Sequence, residues 1–296
     1  MLTRVIRGAA VVAALLVPPA AAAADTFPAT VHAANGPVQI AGRPTRVVSL
    51  SPTATEDLFA IGAGPQVVAV DDQSNYPARA PRTSLSGYTP NVEAIANYHP
   101  DLVVISYNPD NFASQLKKLG IRVLDQPAAK NLKQAYAEIL QLGRITSHDR
   151  GARAVVGSMR KHLAAIVASV PKTRRHLRIY HELDPTYYSA TSQTFIGSIY
   201  KLFGFRNIAD GAGGTGDGYP QLSAEYIIAK DPQIIVLADT RCCGQTYATV
   251  AARPGWSSIS AVVHHRVVLA NDDVASRWGP RIVEFARTVA RIAKQG

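Results

Sequence analysis

Asn91-Val-Glu93-Ala-Ile95 and Ser223-Ala-Glu225-Tyr-Ile227 decide the fold, because the second stretch repeats the first. Each opens on a side chain able to cap a helix and carries a glutamate in the first turn. Each runs on to a proline, Pro100 or Pro232, where a helix must stop. Each proline leads into an apolar run of buried-strand type, Leu102 to Ile105 or Ile234 to Leu237. The positions correspond one to one at a constant offset. One device built twice implies two lobes of like construction.

Reading outward, the first half alternates strands and helices. Strands are expected at Arg46 to Leu50, Val67 to Val70, Leu102 to Ser106 and Ile121 to Leu124. Helices are expected at Thr55 to Ile61, Asn91 to His99, Asn111 to Leu119 and Leu132 to Leu142. The second half gives strands at Leu177 to Tyr180, Ile234 to Ala238 and Val267 to Ala270. Its helices are Phe195 to Phe203, Ala224 to Lys230 and Arg281 to Ala293. Such alternation predicts parallel sheets covered on both faces. Between the halves lies a longer helix that Asp149 can cap and Pro171 ends, with Val155, Met159, Leu163, Ile166 and Val170 on one face. About 20 residues at 1.5 Å rise reach roughly 30 Å, enough to bridge two lobes. The expected fold is therefore α/β, with two Rossmann-like lobes joined by one long helix and a ligand cleft between them. The divisions are 1–24 as a signal peptide, 25–146 as the N-terminal lobe, 147–171 as the interlobe helix and 172–296 as the C-terminal lobe. A helical crossing without internal proline predicts only modest closure.

The signal peptide rests on Arg4 and Arg7, the apolar run Ala9 to Val17 and the small residues Ala20 to Ala24, with cleavage expected after Ala24. The product is expected to be exported, periplasmic and soluble. The chain's two cysteines are the neighbours Cys242 and Cys243. Neither is near the cleavage site, so the expectation is that the protein is not a lipoprotein. In an oxidising compartment the pair has two open fates, a vicinal disulfide or two thiols. The net charge of +10 becomes +8 once Arg4 and Arg7 leave. The basic residues are scattered, with Lys172, Arg174, Arg175 and Arg178 the densest group, so no nucleic-acid footprint emerges.

Several enzyme signatures fail. Gly211-Ala-Gly213-Gly-Thr-Gly216 has the spacing of a dinucleotide loop, but Asp217, Gly218 and Pro220 prevent a helix from opening there. Adjacent His264 and His265 point apart on an extended chain and make a poor metal clamp. Asp71-Asp72 is the nearest carboxylate pair and suits a turn. No direct metal site and no cofactor is expected. The rivals to a binding function are an exported α/β enzyme and an envelope scaffold that has lost its ligand.

The ordered set Arg46-Val-Val-Ser-Leu-Ser-Pro-Thr-Ala-Thr-Glu56, Asp71-Asp-Gln-Ser-Asn-Tyr-Pro77, Gly87-Tyr-Thr-Pro-Asn-Val-Glu-Ala-Ile95, His99-Pro-Asp-Leu-Val-Val104, Tyr219-Pro-Gln-Leu-Ser-Ala-Glu225, Trp256-Ser-Ser-Ile-Ser-Ala-Val262 and Gly279-Pro-Arg281 resembles the periplasmic binding proteins for iron-siderophores, haem and cobalamin. The resemblance implies a monomeric receptor without catalysis that serves an ABC permease and its ATPase. It implies a ferric siderophore or another metal complex as ligand, with cobalamin and haem as alternatives. It carries transporter docking onto Glu93 and Glu225. Aromatics and arginines in loops or at strand ends are the expected ligand contacts: Tyr76, Tyr88, Tyr107, Tyr187, Tyr188, Tyr219, Trp278, Arg241 and Arg277. Tyr88 could hold haem iron, and Arg241 and Arg277 could meet a carboxylate or a catecholate-iron anion.

Overall fold

The computed structural model describes residues 27–213 and 216–295, so the expected signal peptide lies outside the described residues. A hairpin of β1 (Ala29–Ala33) and β2 (Gly36–Ile40) precedes the N-terminal lobe. The lobe holds a parallel sheet of β3 (Val47–Leu50), β4 (Val67–Asp71), β5 (Arg82–Leu85), β6 (Leu102–Ile105) and β7 (Arg122–Asp125), in the order β5-β4-β3-β6-β7. Helices α1 (Pro52–Ile61), α2 (Val92–Ala96), α3 (Phe112–Lys118) and α4 (Leu132–Thr146) cover it. Helix α5 (Asp149–Ala168) then crosses to a second parallel sheet. This holds β8 (Arg178–Glu182), β9 (Arg206–Asn207), β10 (Ile234–Leu237) and β11 (Val267–Leu269), in the order β11-β10-β8-β9. Its helices are α6 (Phe195–Phe203), α7 (Ala224–Lys230), α8 (Tyr247–Ala251), α9 (Ser260–Val263), α10 (Asp272–Ser276) and α11 (Ile282–Ala293).

Both sheets wind alike. The chain steps from β3 to β4 and β5 on one side, then crosses to β6 and β7 on the other. From β8 it steps to β9, then crosses to β10 and β11. The repeated stretches are the crossings. Asn91 caps α2 by accepting the Ala94 N–H, and Ser223 caps α7 by accepting the Tyr226 N–H. Helix α2 is shorter than expected, because His99 turns to φ 45° ahead of Pro100, where helical backbone is disfavoured.

Three layers of apolar packing hold the molecule together. Val48 and Val103 face a core on one side of the first sheet, and Tyr180 and Ile235 face another in the second lobe. The opposite faces share a single core. Val47, Leu102, Ile179 and Val236 belong to it with Met159 and Leu163 of α5 and Phe285 of α11, so apolar packing runs unbroken from lobe to lobe. The buried stripe of α5 is Ala152, Val156, Met159 and Leu163, while Val155 and Ile166 lie at its margin. His148 is the helix's N-cap residue, and Asp149 instead supplies negative charge to the first turn. Two glycines allow helix axes to approach closely. A Cβ on Gly143 would lie 2.4 Å from Ala152 Cβ, and one on Gly151 would lie 2.0 Å from the Ile61 carbonyl oxygen. Among the described residues no helix is long and apolar enough to cross a membrane.

Candidate functional site

Open parallel sheets bind ligands beyond the carboxyl ends of their strands, where the winding reverses. Here the two sheets turn those ends toward each other. The loop after β4 meets the helix after β11: Asn75 Nδ2 donates to Asp273 Oδ2 at 2.9 Å, and Arg277 Nη2 donates to the Gln73 carbonyl at 2.9 Å. These contacts form the floor of a cleft between the lobes.

The floor is a network of paired charges. Arg277 is 8% exposed. Its Nη1 donates to Glu56 Oε1 at 2.8 Å and to Asn75 Oδ1 at 2.9 Å, and its Nη2 also donates to Asp273 Oδ1 at 2.8 Å. Arg281 donates from Nε to Glu56 Oε2 at 2.8 Å and lays its guanidinium 4.2 Å from the centre of the Tyr76 ring. Glu56, buried on α1, thus receives two arginines from the other lobe. Burial pushes nearby carboxyls up: Asp71 to about 6, with Ser74 hydrogen bonds opposing, and Glu138 to about 7, with the Trp278 N–H opposing. Asp57 is also raised, by burial and then by the charges of Glu138 and Glu56.

The rim is aromatic. Tyr88 follows β5 and Tyr107 follows β6; their rings lie 6.3 Å apart because the crossing from β5 to β6 passes over the sheet's carboxyl edge. In the second lobe, the loop after β8 is zipped to the segment before α7. Leu222 N–H donates to the Tyr187 carbonyl, Ser189 N–H to that of Pro220 and Thr191 N–H to that of Gly218. This brings Tyr188 and Tyr219 to one wall. Tyr76, Tyr88, Tyr107, Tyr188 and Tyr219 are all exposed, Tyr88 by 73%. Burial and the charge of Asp217 raise the Tyr219 hydroxyl above the usual phenol range.

Four expected ligand contacts have protein partners of their own. Tyr187 is half-buried, stacked on Trp256 at 5.7 Å with the Arg253 guanidinium 5.2 Å from its centre. Trp278 packs on the shared core and donates from Nε1 to Glu138 Oε2 at 2.7 Å. Arg277 is taken up by the ion pairs of the floor. Arg241 lies at the surface, with Nη1 donating to Asp273 Oδ2 at 2.8 Å. Sequence reading missed Glu56, Arg281, Glu182 and Arg253 as organising residues. Glu182 is fully buried and takes both Nη atoms of Arg253, at 2.6 and 2.7 Å. Glu56 and Glu182 are charges at buried positions of a helix and a strand, which require partners, while Arg253 and Arg281 sit in turns and carry no local signal.

The loop after β10 carries Cys242 and Cys243, which the structure pairs with each other. Asp272 anchors this loop by accepting the backbone N–H groups of Thr240, Arg241 and Cys242. Just before it, Asp239 is buried and pushed up to about 7, first by burial and then by the charge of Glu182. Among the described residues of the glycine-rich loop no α-helix opens: a 3-10 turn, Ile208–Gly211, ends on its first glycine and α7 begins only at Ala224. The described residues contain no cluster of three or more His, Cys, Asp or Glu able to hold a metal.

Two like-wound α/β lobes with an aromatic cleft between their strand ends define a solute-binding protein. The chain belongs to the periplasmic binding protein family, whose model matches residues 47–274. An ABC transporter substrate-binding lipoprotein of Bacillus subtilis, YvrC, is 30% identical over 276 residues, covering 90% of this chain and 85% of the relative. A cobalamin-binding protein of Halobacterium salinarum is 33% identical over 268 residues, covering 88% of this chain and 72% of the relative. The vitamin B12-binding protein BtuF of Vibrio cholerae superposes with a TM-score of 0.70 at 25% identity, covering 86% of this chain and 99% of BtuF. These relatives are binding proteins, and the chain is not an enzyme. One expectation is overturned. The B. subtilis relative is by name a lipoprotein, so the expectation that this protein is not a lipoprotein is withdrawn.

Proposed function

We propose that the protein is the solute-binding component of an ABC importer, capturing a metal-centred organic complex between its lobes. The observation that carries this reading is the exposed tyrosine rim. Tyr76, Tyr88, Tyr107, Tyr188 and Tyr219 are large aromatics left open to solvent in loops beyond the strand ends of the two lobes. Grouped exposed aromatics mark a binding surface, and rigid flat rings suit a large flat ligand. A corrinoid is the first candidate, because relatives that match most of the chain are cobalamin-binding by name. A ferric siderophore, which the sequence resemblance implies, and haem ask for the same aromatic cleft. Glu93 and Glu225 support delivery to a permease and its ATPase. Both are exposed at equivalent places in the two crossings, one on each lobe.

Fluorescence titration of the purified protein with cyanocobalamin, haem and ferric siderophores tests the reading. The expected result is saturable quenching, with cyanocobalamin tightest. Failure of every metal complex to bind overturns it and favours a scaffold that has lost its ligand.

A further inference from the structure

We infer that the cleft selects its ligand by charge, accepting neutral or cationic metal complexes and rejecting anionic ones; this rests on the metal-complex reading above. An anionic ligand needs an uncommitted guanidinium or ammonium to receive it. Arg253, Arg277 and Arg281 stand at the floor and inner wall of the cleft and Arg241 at its surface, and protein carboxylates already hold each of them; Arg79, in a pocket with Tyr76 and Arg281, packs instead over the Phe59 ring. Arg253 gives both Nη atoms to Glu182. Arg277 is shared between Glu56 and Asp273, and Arg281 is held by Glu56 with its face covered by Tyr76. Arg241 pairs with the same Asp273 at 2.8 Å. Lys130, after β7, is the exception: it is exposed and makes no ion pair among the described residues, in a pocket that Asp125, Glu138 and the hairpin's His32 also line.

The carboxylates outnumber these cations. Besides Glu56, Glu182 and Asp273, the loops at the carboxyl ends of the strands carry Asp72, Asp110, Asp184 and Asp272. Asp72 and Asp110 are exposed and make no ion pair among the described residues. Asp272 is satisfied by backbone N–H groups and makes no ion pair among the described residues. Asp71 and Asp239 lie beneath the same end and are pushed up to about 6 and about 7, chiefly by burial, with the charges of Asp72 and Glu182 acting in the same direction.

This is unexpected in a chain of net charge +10. The positive charge collects at the opposite end of the strands. Arg122, Arg178 and Arg206 are the first residues of β7, β8 and β9, and Arg46 and Arg266 immediately precede β3 and β11, whereas Arg82 of β5 reaches the cleft end and donates from Nη2 to the Asp72 carbonyl at 3.1 Å. Both lobes are therefore polarised along their strands, basic at the starts and acidic at the cleft. A low-dielectric cleft lined by one sign of charge focuses the field on whatever enters, and like charges placed together cost several kcal/mol.

The test uses the whole purified protein and probes of graded charge. These are cyanocobalamin and a cyclic ferric tris-hydroxamate as neutral complexes, a ferric tris-hydroxamate bearing an ammonium group as the cation, and a ferric tris-catecholate as the trianion. The neutral or cationic complexes should bind about tenfold or more tighter than the trianion, a gap of about 1.4 kcal/mol or more, and the gap should narrow as salt rises. Replacing the two exposed carboxylates, Asp72→Asn with Asp110→Asn, should raise affinity for the trianion more than for the neutral complexes. A trianion that binds as tightly as its neutral counterpart at low salt overturns the charge selection and leaves the metal-complex reading standing. Failure of all complexes, neutral ones included, removes the metal-complex reading and this inference with it.

Discussion

The floor of the cleft and its rim are built from the same strand-end loops yet obey opposite rules. On the floor, Arg277 and Arg281 reach across the lobes to a buried Glu56, and their charges are matched. At the rim, five tyrosines stand exposed, and Tyr88 and Tyr107 touch chiefly each other. Breaking a buried pair strands a charge in low dielectric, whereas an exposed ring loses little until a ligand covers it. The contrast assigns cohesion to the floor and recognition to the rim. It also bears on motion. The lobes share one core as well as a helix, so a hinge would have to break both packing and ion pairs.

The contrast is tested most severely at Arg277. Replacing it with alanine leaves Glu56 short of a partner and unties Asn75 and the Gln73 carbonyl. Stability should fall by about 3–5 kcal/mol, the usual cost of removing one partner of a buried pair. Urea unfolding measures it. A loss within experimental error would show that the floor does not hold the lobes together.

At the rim the loss should appear in binding and not in folding. Tyr88→Ala and Tyr219→Ala should each cost about 1–3 kcal/mol of affinity for the bound complex, from the apolar area a ligand covers. Their unfolding midpoints should stay near wild type. Tyr76 sharpens the comparison because it belongs to both regions. Its ring is exposed, yet it lies under Arg281, so Tyr76→Ala should lower both affinity and stability. A triple variant of the three tyrosines that binds like wild type would move the site elsewhere.

A pH titration separates the regions by another route. Glu138, beside the floor, is pushed up to about 7 by burial. The folded protein therefore keeps a proton that the unfolded chain releases near its ordinary carboxylate pKa. The stability this proton provides is full at low pH and is lost as pH rises toward and through about 7. Asp71, pushed up to about 6, acts with the same sign over a slightly lower range. Glu138→Gln keeps an acceptor for the Trp278 N–H but cannot ionise. Its stability should fall less between pH 4.5 and pH 8, by about 1–2 kcal/mol after allowance for solvent screening. Parallel stability profiles for variant and wild type would contradict the raised carboxyl.

The two regions were unequally legible in the sequence. Rim residues announce themselves locally: a tyrosine just past a strand, or beside Gly and Pro, reads as a loop aromatic. The crossings were legible for the same reason, since cap, glutamate, proline and strand follow one another within 15 residues. The floor was not, because Arg277 and Glu56 lie 221 residues apart and nothing local to either names the other. Arg277 looked like a free loop arginine until the fold supplied its partners. The hairpin was missed because the inward alternation of Ala29 and Val31 spans only five residues. The short helices α8 to α10 leave no period long enough to read.

The smallest effect on the isolated protein is expected at Glu93 and Glu225, and there the two-lobed symmetry itself is tested. Each glutamate is the second residue of its helix, after a cap that accepts the N–H three positions on. Glu225 is held below the usual carboxylate range by its own backbone N–H and by Ser223. Both stand exposed, so neither contributes to the floor or the rim. Changing both to alanine should leave the unfolding midpoint and the ligand affinity within error of wild type. An exposed charge acts instead on orientation and encounter with a partner. Two equivalent carboxylates, one per lobe, match a permease that presents two equivalent basic surfaces. The double variant should therefore bind its ligand and fail to support uptake, with each single variant intermediate. Uptake at the wild-type rate would leave the two glutamates as helix-end charges and nothing more.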